Sequence, residues 1–131
     1  MTNETCSSQR GCLTVGDKFP AFTLDATVAI DKKLEDNFKK ISLTDYKGKW
    51  KTVFFWPLDF TFVCPTEIAE FNKHHADFTD RGTVLLGASC DSKFTHLAWR
   101  KDHADLKGLK FPMLADYNKT LTTELGILAK N

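Results

Sequence analysis

The sequence predicts an α/β fold built around a strand–helix–strand unit. Segment 51–56 is rich in β-branched and aromatic residues, which predicts a buried strand. Between residues 65 and 80, apolar side chains recur at steps of three and four, which predicts one amphipathic helix. Gly82 is suited to ending that helix, and the apolar segment 83–89 predicts a second buried strand. Strands connected in this way pair in parallel through a right-handed crossover.

The elements before this unit are predicted from weaker patterns. The apolar side chains of segment 19–24 surround Pro20, which favours an edge element because proline is tolerated at sheet edges. Segment 31–40 is dense in charge and weak in hydrophobic periodicity. It therefore indicates an exposed loop or a short helical excursion.

Three shorter elements are predicted after the second strand. Asp91 or Ser92 can cap a helix that begins nearby, because short polar side chains accept hydrogen bonds from its first free N–H groups. Segment 111–115 is apolar and is expected to form another strand. Asn118 is expected to cap a short helix that ends at Gly126.

Composition places the chain in one class and excludes others. With 131 residues, of which 42% are hydrophobic and 27% charged, it can form one globular domain. We expect a flexible N-terminal tail over residues 1–12 and one domain over 13–131. The formal net charge of +1 offers no argument for binding nucleic acid or an anionic membrane. No apolar run approaches the length of a membrane span, and segment 1–12 lacks a signal-peptide core, so we expect a cytoplasmic protein.

Four cysteines are present, and their spacing narrows the chemistry. Cys6, Cys12, Cys64 and Cys90 could in principle form two disulfides, but a domain of this size does not need them. No Cys-x-x-Cys pair occurs, so a zinc ribbon or a thioredoxin-type dithiol is not supported, and we expect no metal. Reduced thiols are expected, with Cys90 a core residue and the two N-terminal cysteines in the tail.

Cys64 is the strongest candidate for a reactive group. It lies between the first strand and the predicted helix, and Pro65 is suited to the first helical position, which makes Cys64 the expected N-cap. Its sulfur would then face free backbone N–H groups at the positive end of the helix dipole, an environment that favours thiolate over thiol. The alternative is a buried, inert thiol of the core.

Three neighbours could assist a nucleophilic thiolate. The hydroxyl of Thr61 could orient a peroxide and stabilise its leaving oxygen, although it could also only bond its own loop backbone. Pro57 could shelter the sulfur from water. Glu67 would occupy the third helical position and complete a capping box. Because its negative charge opposes thiolate formation, a cation from elsewhere in the fold is expected beside it.

At this point the residues resemble the peroxiredoxin family. The pattern Pro57-x-x-x-Thr61-x-x-Cys64 matches the peroxiredoxin active-site motif, and the run from Phe60 to Glu67 is typical of the AhpC/TSA, typical two-cysteine branch. The segments 15–20, 45–50, 94–99 and 111–116 are similar to family segments in the same order. The resemblance extends from about residue 13 to the end of the chain.

The resemblance implies a thioredoxin-like fold, C-terminally incomplete in this chain, and a peroxidase that needs no metal, haem or flavin. It implies that Cys64 is the peroxidatic cysteine, Thr61 bonds thiolate and substrate, Pro57 closes the pocket and Glu67 holds an arginine. Hydrogen peroxide and organic hydroperoxides are the implied substrates. A thioredoxin-class protein or an AhpC reductase is the implied electron donor, and a homodimer or ring the implied assembly.

The chain also departs from the family pattern. Arg81 and Arg100 do not match the position of the family's active-site arginine, and neither Cys90 nor any other cysteine matches its resolving cysteine. The alternative function is therefore a catalytically impaired fragment that binds partners or unfolded proteins through apolar surface. A thioredoxin-like disulfide oxidoreductase is weaker, because Glu67 stands where that motif has its second cysteine.

Overall fold

A five-stranded mixed sheet lies at the centre of the computed structural model, which describes residues 13–129. Its strands follow the order β2-β1-β5-β4-β3. Strand β1 pairs antiparallel with β2 and β5, whereas β3, β4 and β5 are parallel, which confirms the parallel unit predicted from the sequence. The strands are β1 (Thr23–Thr27), β2 (Phe38–Ser42), β3 (Trp50–Phe55), β4 (Thr83–Ser89) and β5 (Met113–Ala115).

Within residues 13–129, four α-helices and three 3₁₀ helices flank or connect these strands. None of the helices in the described part of the chain is long and apolar enough to cross a membrane. The α-helices are α1 (Cys64–Lys73), α2 (His75–Asp80), α3 (Lys93–Asp102) and α4 (Thr120–Leu125). The 3₁₀ helices are Leu34–Asn37, Leu43–Tyr46 and Ala104–Leu106.

The positions of two strands in the sheet differ from the prediction. The early element β1 is an inner strand between β2 and β5, so the edge assignment for segment 19–24 is wrong. Strand β3, expected to be buried, lies at the sheet edge, and most of its residues are half-buried. The apolar composition of a segment predicts that it forms a strand. Its place in the sheet depends on pairing with segments that are distant in sequence. The excursion in segment 31–40 is the 3₁₀ helix Leu34–Asn37, and the following strand β2 was not predicted.

The helix predicted over residues 65–80 is two helices. His74 separates them with φ −98° and ψ 13°, outside the helical region. Its N–H still bonds the carbonyls of Glu70 and Phe71, and its Nδ1 lies 3.0 Å from Asp77 Oδ2. Gly82 follows the second helix with φ +67°, the left-handed conformation that glycine adopts readily, as expected.

Helix capping confirms one expectation and corrects another. Ser92 caps α3, because its Oγ accepts a hydrogen bond from the Thr95 N–H at 3.2 Å. Asn118 does not cap α4. That role falls to Asp116, whose carboxylate accepts from the N–H groups of Leu121 and Thr122 at 3.2 and 2.8 Å. A fully buried carboxylate two residues earlier therefore replaces the amide that the sequence suggested.

Core side chains divide between the two faces of the sheet. Alternate residues of β4 and β5 point to opposite faces, as the two-residue period of a strand requires, so Leu85 and Leu86 belong to different clusters. Helices α1 and α3 cover the face that holds Leu85, and α4 covers the other. The first cluster comprises Trp56, Cys64, Ile68, Leu85, Trp99, Leu106, Leu109, Phe111 and Met113.

Candidate functional site

The connection between β3 and α1 carries the candidate site. Strands β3 and β4 are parallel, so their carboxyl ends meet at one end of the sheet, where Cys64 begins α1. The loop 57–63 is mostly exposed, and Phe60 holds a left-handed backbone conformation at φ +59°. This conformation is costly for a bulky residue and persists only where its surroundings hold it. The Phe60 ring lies 6.1 Å from the Trp99 ring, centroid to centroid.

Cys64 occupies the first turn of α1, one position later than expected. Val63 precedes the helix with φ −89° and ψ −39°, and its carbonyl accepts from the N–H groups of Thr66 and Glu67. Val63 is therefore the N-cap residue, and Cys64 and Pro65 are the first two helical residues. The correction leaves Cys64 in the first turn of α1, at the positive end of the helix dipole.

The Cys64 side chain packs in the core rather than at the surface. The residue is 7% exposed and belongs to the same buried cluster as Trp56 and Trp99. Phe62, two residues earlier, is 97% exposed. Both Cys64 and Cys90 are free thiols. The structure therefore places the candidate nucleophile under an exposed aromatic loop.

Thr61 and Pro57 lie in the loop before Cys64. The Thr61 hydroxyl donates to the Leu58 carbonyl oxygen at 3.2 Å, so it bonds its own loop. A hydroxyl has one proton, so donation to a sulfur or peroxide oxygen requires release of Leu58. Pro57 is exposed. The roles of both residues stay predictions.

Glu67 does not complete a capping box. It is the fourth residue of α1 and is exposed, and Thr66 Oγ1 donates instead to the Val63 carbonyl at 2.6 Å. Glu67 lines a groove of about 550 Å³ beside β3, the last strand in the sheet order. The groove is formed by Phe54, Phe55, Glu67, Glu70, Phe71, His74 and Phe78.

Neither arginine of the described chain lies beside Glu67. Arg81 donates to the Asp77 carbonyl at 2.9 Å, at the end of α2. Arg100 is buried and donates to the carbonyls of Thr27 and Leu109 at 3.1 and 3.0 Å. Burial lowers the pKa of Arg100 to about 10. Both guanidinium groups are thus engaged elsewhere, as their sequence positions predicted.

Within residues 13–129, the other cysteine, Cys90, is not paired with Cys64. Cys90 follows β4, and its Sγ lies 3.6 Å from Thr122 Oγ1 of α4, on the other side of the sheet from the Cys64 cluster. Cys6 and Cys12 lie outside the described residues. Between residues 13 and 129, no group of three or more His, Cys, Asp or Glu side chains is arranged to hold a metal.

A buried polar network next to the Cys64 loop was missed by sequence reasoning. Asp59 Oδ1 accepts from the Trp56 indole N–H at 2.7 Å, and its Oδ2 lies 2.5 Å from His96 Nδ1. Its backbone N–H donates to Asp91 Oδ2 at 2.7 Å. The only sequence signal was a carboxylate in an otherwise apolar loop and a histidine on an amphipathic helix.

Comparison with known proteins places this geometry in context. The model of the AhpC/TSA family matches residues 15–131. Alkyl hydroperoxide reductase C of Mycolicibacterium smegmatis is 49% identical over 122 residues, which are 88% of this chain and 63% of that protein. Peroxiredoxin-2 of Mus musculus is 47% identical over 122 residues, covering 90% and 58% respectively. The chain thus spans about three fifths of the length of these curated relatives.

Solved structures agree with these matches. The structure of Mycobacterium bovis AhpC superposes with a TM-score of 0.83 at 49% identity, over 89% of this chain and 69% of that one. The Plasmodium vivax 2-Cys peroxiredoxin in its reduced form gives a TM-score of 0.80 at 36% identity, over 90% and 72%. The predicted thioredoxin-like α/β class is confirmed over the region covered.

Proposed function

This chain belongs to the AhpC/TSA family, and we propose that it carries the nucleophilic half of a thiol-dependent peroxidase. The observation that carries the proposal is Cys64 itself: a buried free thiol in the first turn of α1, at the carboxyl ends of parallel strands. A helix start favours the thiolate, which is the nucleophilic form. The substrates are hydrogen peroxide and organic hydroperoxides.

The reaction at Cys64 is a displacement on oxygen. The thiolate attacks one peroxide oxygen, an S–O bond forms and the O–O bond breaks, and the leaving oxygen takes a proton to become water or an alcohol. The sulfur is oxidised to sulfenic acid. A thiol of the electron donor then condenses with the sulfenic acid, releasing water and forming a mixed disulfide. The loop 57–63 supplies shelter, and the positive end of the α1 dipole supports the negative charge.

Thr61 is proposed to donate to the attacking sulfur or to the departing oxygen. This requires its hydroxyl to turn from the Leu58 carbonyl, which is a single rotation about χ1. Thr61→Val removes the donor and keeps the shape, and we expect a loss of about tenfold or more in the rate of Cys64 oxidation. Thr61→Ser keeps the hydroxyl and is the matched control. Equal rates of Cys64 oxidation in Thr61→Val and Thr61→Ser would show that the Thr61 hydroxyl does not take part.

The central experiment compares the wild-type chain with Cys64→Ser and Cys90→Ser. Peroxide-dependent sulfenic acid formation is followed by mass spectrometry after trapping, over a range of peroxide concentrations. We expect oxidation of Cys64 at micromolar peroxide, unchanged by Cys90→Ser and abolished by Cys64→Ser. Undiminished peroxide turnover in Cys64→Ser would refute the assignment.

A non-enzymatic role as an impaired, partner-binding fragment is not favoured by the comparisons, because the relatives carry enzyme names. The same titration separates the two roles. Oxidation of Cys64 that needs millimolar peroxide is the result expected of an impaired fragment.

The proposed electron donor is a thioredoxin-class protein or an AhpC reductase, and the proposed assembly is a homodimer or ring. Exposed apolar side chains beside the site, such as Phe62 and Val63, offer surface for such contacts. Peroxide consumption measured with each donor in turn identifies the one used. Sedimentation at several protein concentrations reports the assembly, and a monomer at all of them would exclude it for this chain.

A further inference from the structure

Asp59 is the single buried anchor of the loop that precedes Cys64. Every other residue from 57 to 63 is exposed or half-buried, whereas the Asp59 side chain is fully buried. Its carboxylate and its backbone N–H bond groups on β4, on α3 and just beyond β3 and β4. The position of the loop, and of the thiol at its end, therefore depends on what holds this carboxylate.

His96 of α3 is the group that connects Asp59 to the centre of the sheet. Its ring is fully buried, with Nδ1 2.5 Å from Asp59 Oδ2 and Nε2 3.0 Å from the Leu114 carbonyl oxygen. A carbonyl can only accept, so Nε2 carries a proton. On the other side of the ring, Nδ1 shares a hydrogen bond with the Asp59 carboxylate. The imidazole thus bridges the loop and strand β5.

The bridge is reinforced on the side of the thiol. The Trp56 indole donates to the other Asp59 oxygen, and its ring lies 5.8 Å from the imidazole and 6.2 Å from the Trp99 ring. Trp56 and Trp99 belong to the buried cluster that contains Cys64. A displacement of Asp59 would therefore be transmitted to the packing around the sulfur.

We propose that His96 is a positioning residue for Cys64, acting through Asp59, a role that rests on the peroxidase function proposed above. By holding the carboxylate, the imidazole fixes loop 57–63 and so sets the approach of a reagent to the sulfur. Misplacement of a reacting group by about 1 Å can cost on the order of a hundredfold in rate. A buried ion pair that serves stability alone would not couple to the reactivity of the thiol.

Two substitutions of His96 separate its two contacts. In His96→Asn the amide N–H₂ stands near the place of Nδ1 and can still donate to Asp59. In His96→Gln it stands near the place of Nε2 and can donate only to the Leu114 carbonyl. We expect His96→Gln to slow Cys64 oxidation by peroxide about tenfold or more, and His96→Asn by about threefold or less.

A second readout does not depend on peroxide chemistry. We expect the indole N–H of Trp56 to exchange with solvent about tenfold faster in His96→Gln than in the wild type, because the carboxylate that accepts it is released. The rate at which iodoacetamide alkylates Cys64 should also differ between His96→Gln and the wild type, because the position of loop 57–63 differs. If wild-type Cys64 does not react with peroxide, the peroxidase function fails, and these two measurements still decide the positioning role.

Controls address folding and general destabilisation. Leu121→Ala empties a site on the opposite face of the sheet and supplies a destabilised chain with the network intact. If His96→Gln does not fold, Asp59→Asn tests the same contact. We expect Asp59→Asn to slow the oxidation of Cys64 by peroxide about tenfold as well. The proposal is overturned if the His96 variants react like the wild type, if Asn and Gln are equivalent, or if Leu121→Ala reproduces the loss.

Discussion

The backbone of Gly87 lies directly against the indole ring of Trp56. A β-carbon at position 87 would stand 2.7 Å from Trp56 Cζ3 and 3.1 Å from Phe111 Cε1. Real β-carbons do not approach so closely, so strand β4 passes under the ring only because residue 87 has no side chain. The same ring donates to Asp59 through its N–H, so its position matters to both packing and the polar network.

Gly87→Ala is therefore expected to destabilise the protein. The added methyl must displace a buried tryptophan, and such overpacking costs about 1–3 kcal/mol in the free energy of unfolding. Chemical denaturation followed by far-UV circular dichroism measures the change. Gly108→Ala is the matched control, because a β-carbon there meets nothing within 4 Å. Unchanged stability in Gly87→Ala would mean that Trp56 packs differently.

Asp116→Ala is expected to unravel the start of α4. The carboxylate is fully buried and accepts three hydrogen bonds, from the N–H groups of Leu121 and Thr122 and from the Thr122 hydroxyl. Bonds to a charged acceptor contribute about 1.5–3 kcal/mol, so a loss near the upper end is expected. Denaturant midpoints give the value.

Asn118→Ala serves as the control for that substitution, since Asn118 is exposed and was the cap that the sequence suggested. It should change the free energy of unfolding by less than about 0.5 kcal/mol. A larger loss in Asn118→Ala than in Asp116→Ala would reverse the assignment of the cap.

The Asp25 ion cluster should contribute a small, pH-dependent stabilisation. A hydrogen bond from Lys40, with the charge of Lys93, holds the pKa of Asp25 below its usual 3.8 despite partial desolvation. The folded state favours the ionised carboxylate, so the stabilisation is full above pH 3.8 and disappears as the pH falls through the lower folded-state pKa. Because Lys40 is largely exposed and the Asp25 side chain is 36% exposed, solvent screens the pair, and Asp25→Asn should cost less than about 1 kcal/mol at neutral pH.

Denaturation at neutral and at acidic pH, with low and high salt, tests this dependence. The difference between wild type and Asp25→Asn should shrink under acid and under high salt. Asp31→Asn, on an exposed loop, is the control. A difference that grows as the pH falls below 3.8 would contradict the assigned direction of the pKa.

Arg100→Lys should destabilise the folded protein, although it keeps the positive charge. The guanidinium donates to the Thr27 and Leu109 carbonyls from two different nitrogens, and both carbonyls lie in the interior. One ammonium cannot reproduce this fork, so a buried acceptor loses its donor. We expect a loss of about 2 kcal/mol, measured by denaturation, with Lys101→Arg as the exposed control. Equal stability of Arg100→Lys and wild type would show that solvent reaches these carbonyls.

Local patterns predicted the elements that depend on nearby residues. The β-branched run of β3, the apolar run of β4 and the cap at Ser92 are each contained within a few positions and were recovered. The order of the strands in the sheet was not predicted, because β1 pairs with β5 across about ninety residues of chain. The break at His74 was also missed, because the apolar period continues through it.

For the candidate site, the same division between local and distant information holds. The helix start at Cys64 follows from Pro65 within one position. The Asp59–His96 contact joins residues 37 apart, and no periodicity in either segment relates one to the other. Sequence could identify the nucleophile, whereas the groups that hold its loop required the fold.

The contrast between Cys64 and Phe62 has a consequence for the kind of molecule that can react here. With the thiol at 7% exposure and the neighbouring ring at 97%, the sulfur is reached through a loop rather than across an open surface. A reagent must therefore pass the side chains of this loop to reach the sulfur, and a bulky reagent meets more of them than a small one. Steric selection among oxidants is therefore built into the backbone between Pro57 and Cys64, independently of how nucleophilic the sulfur is.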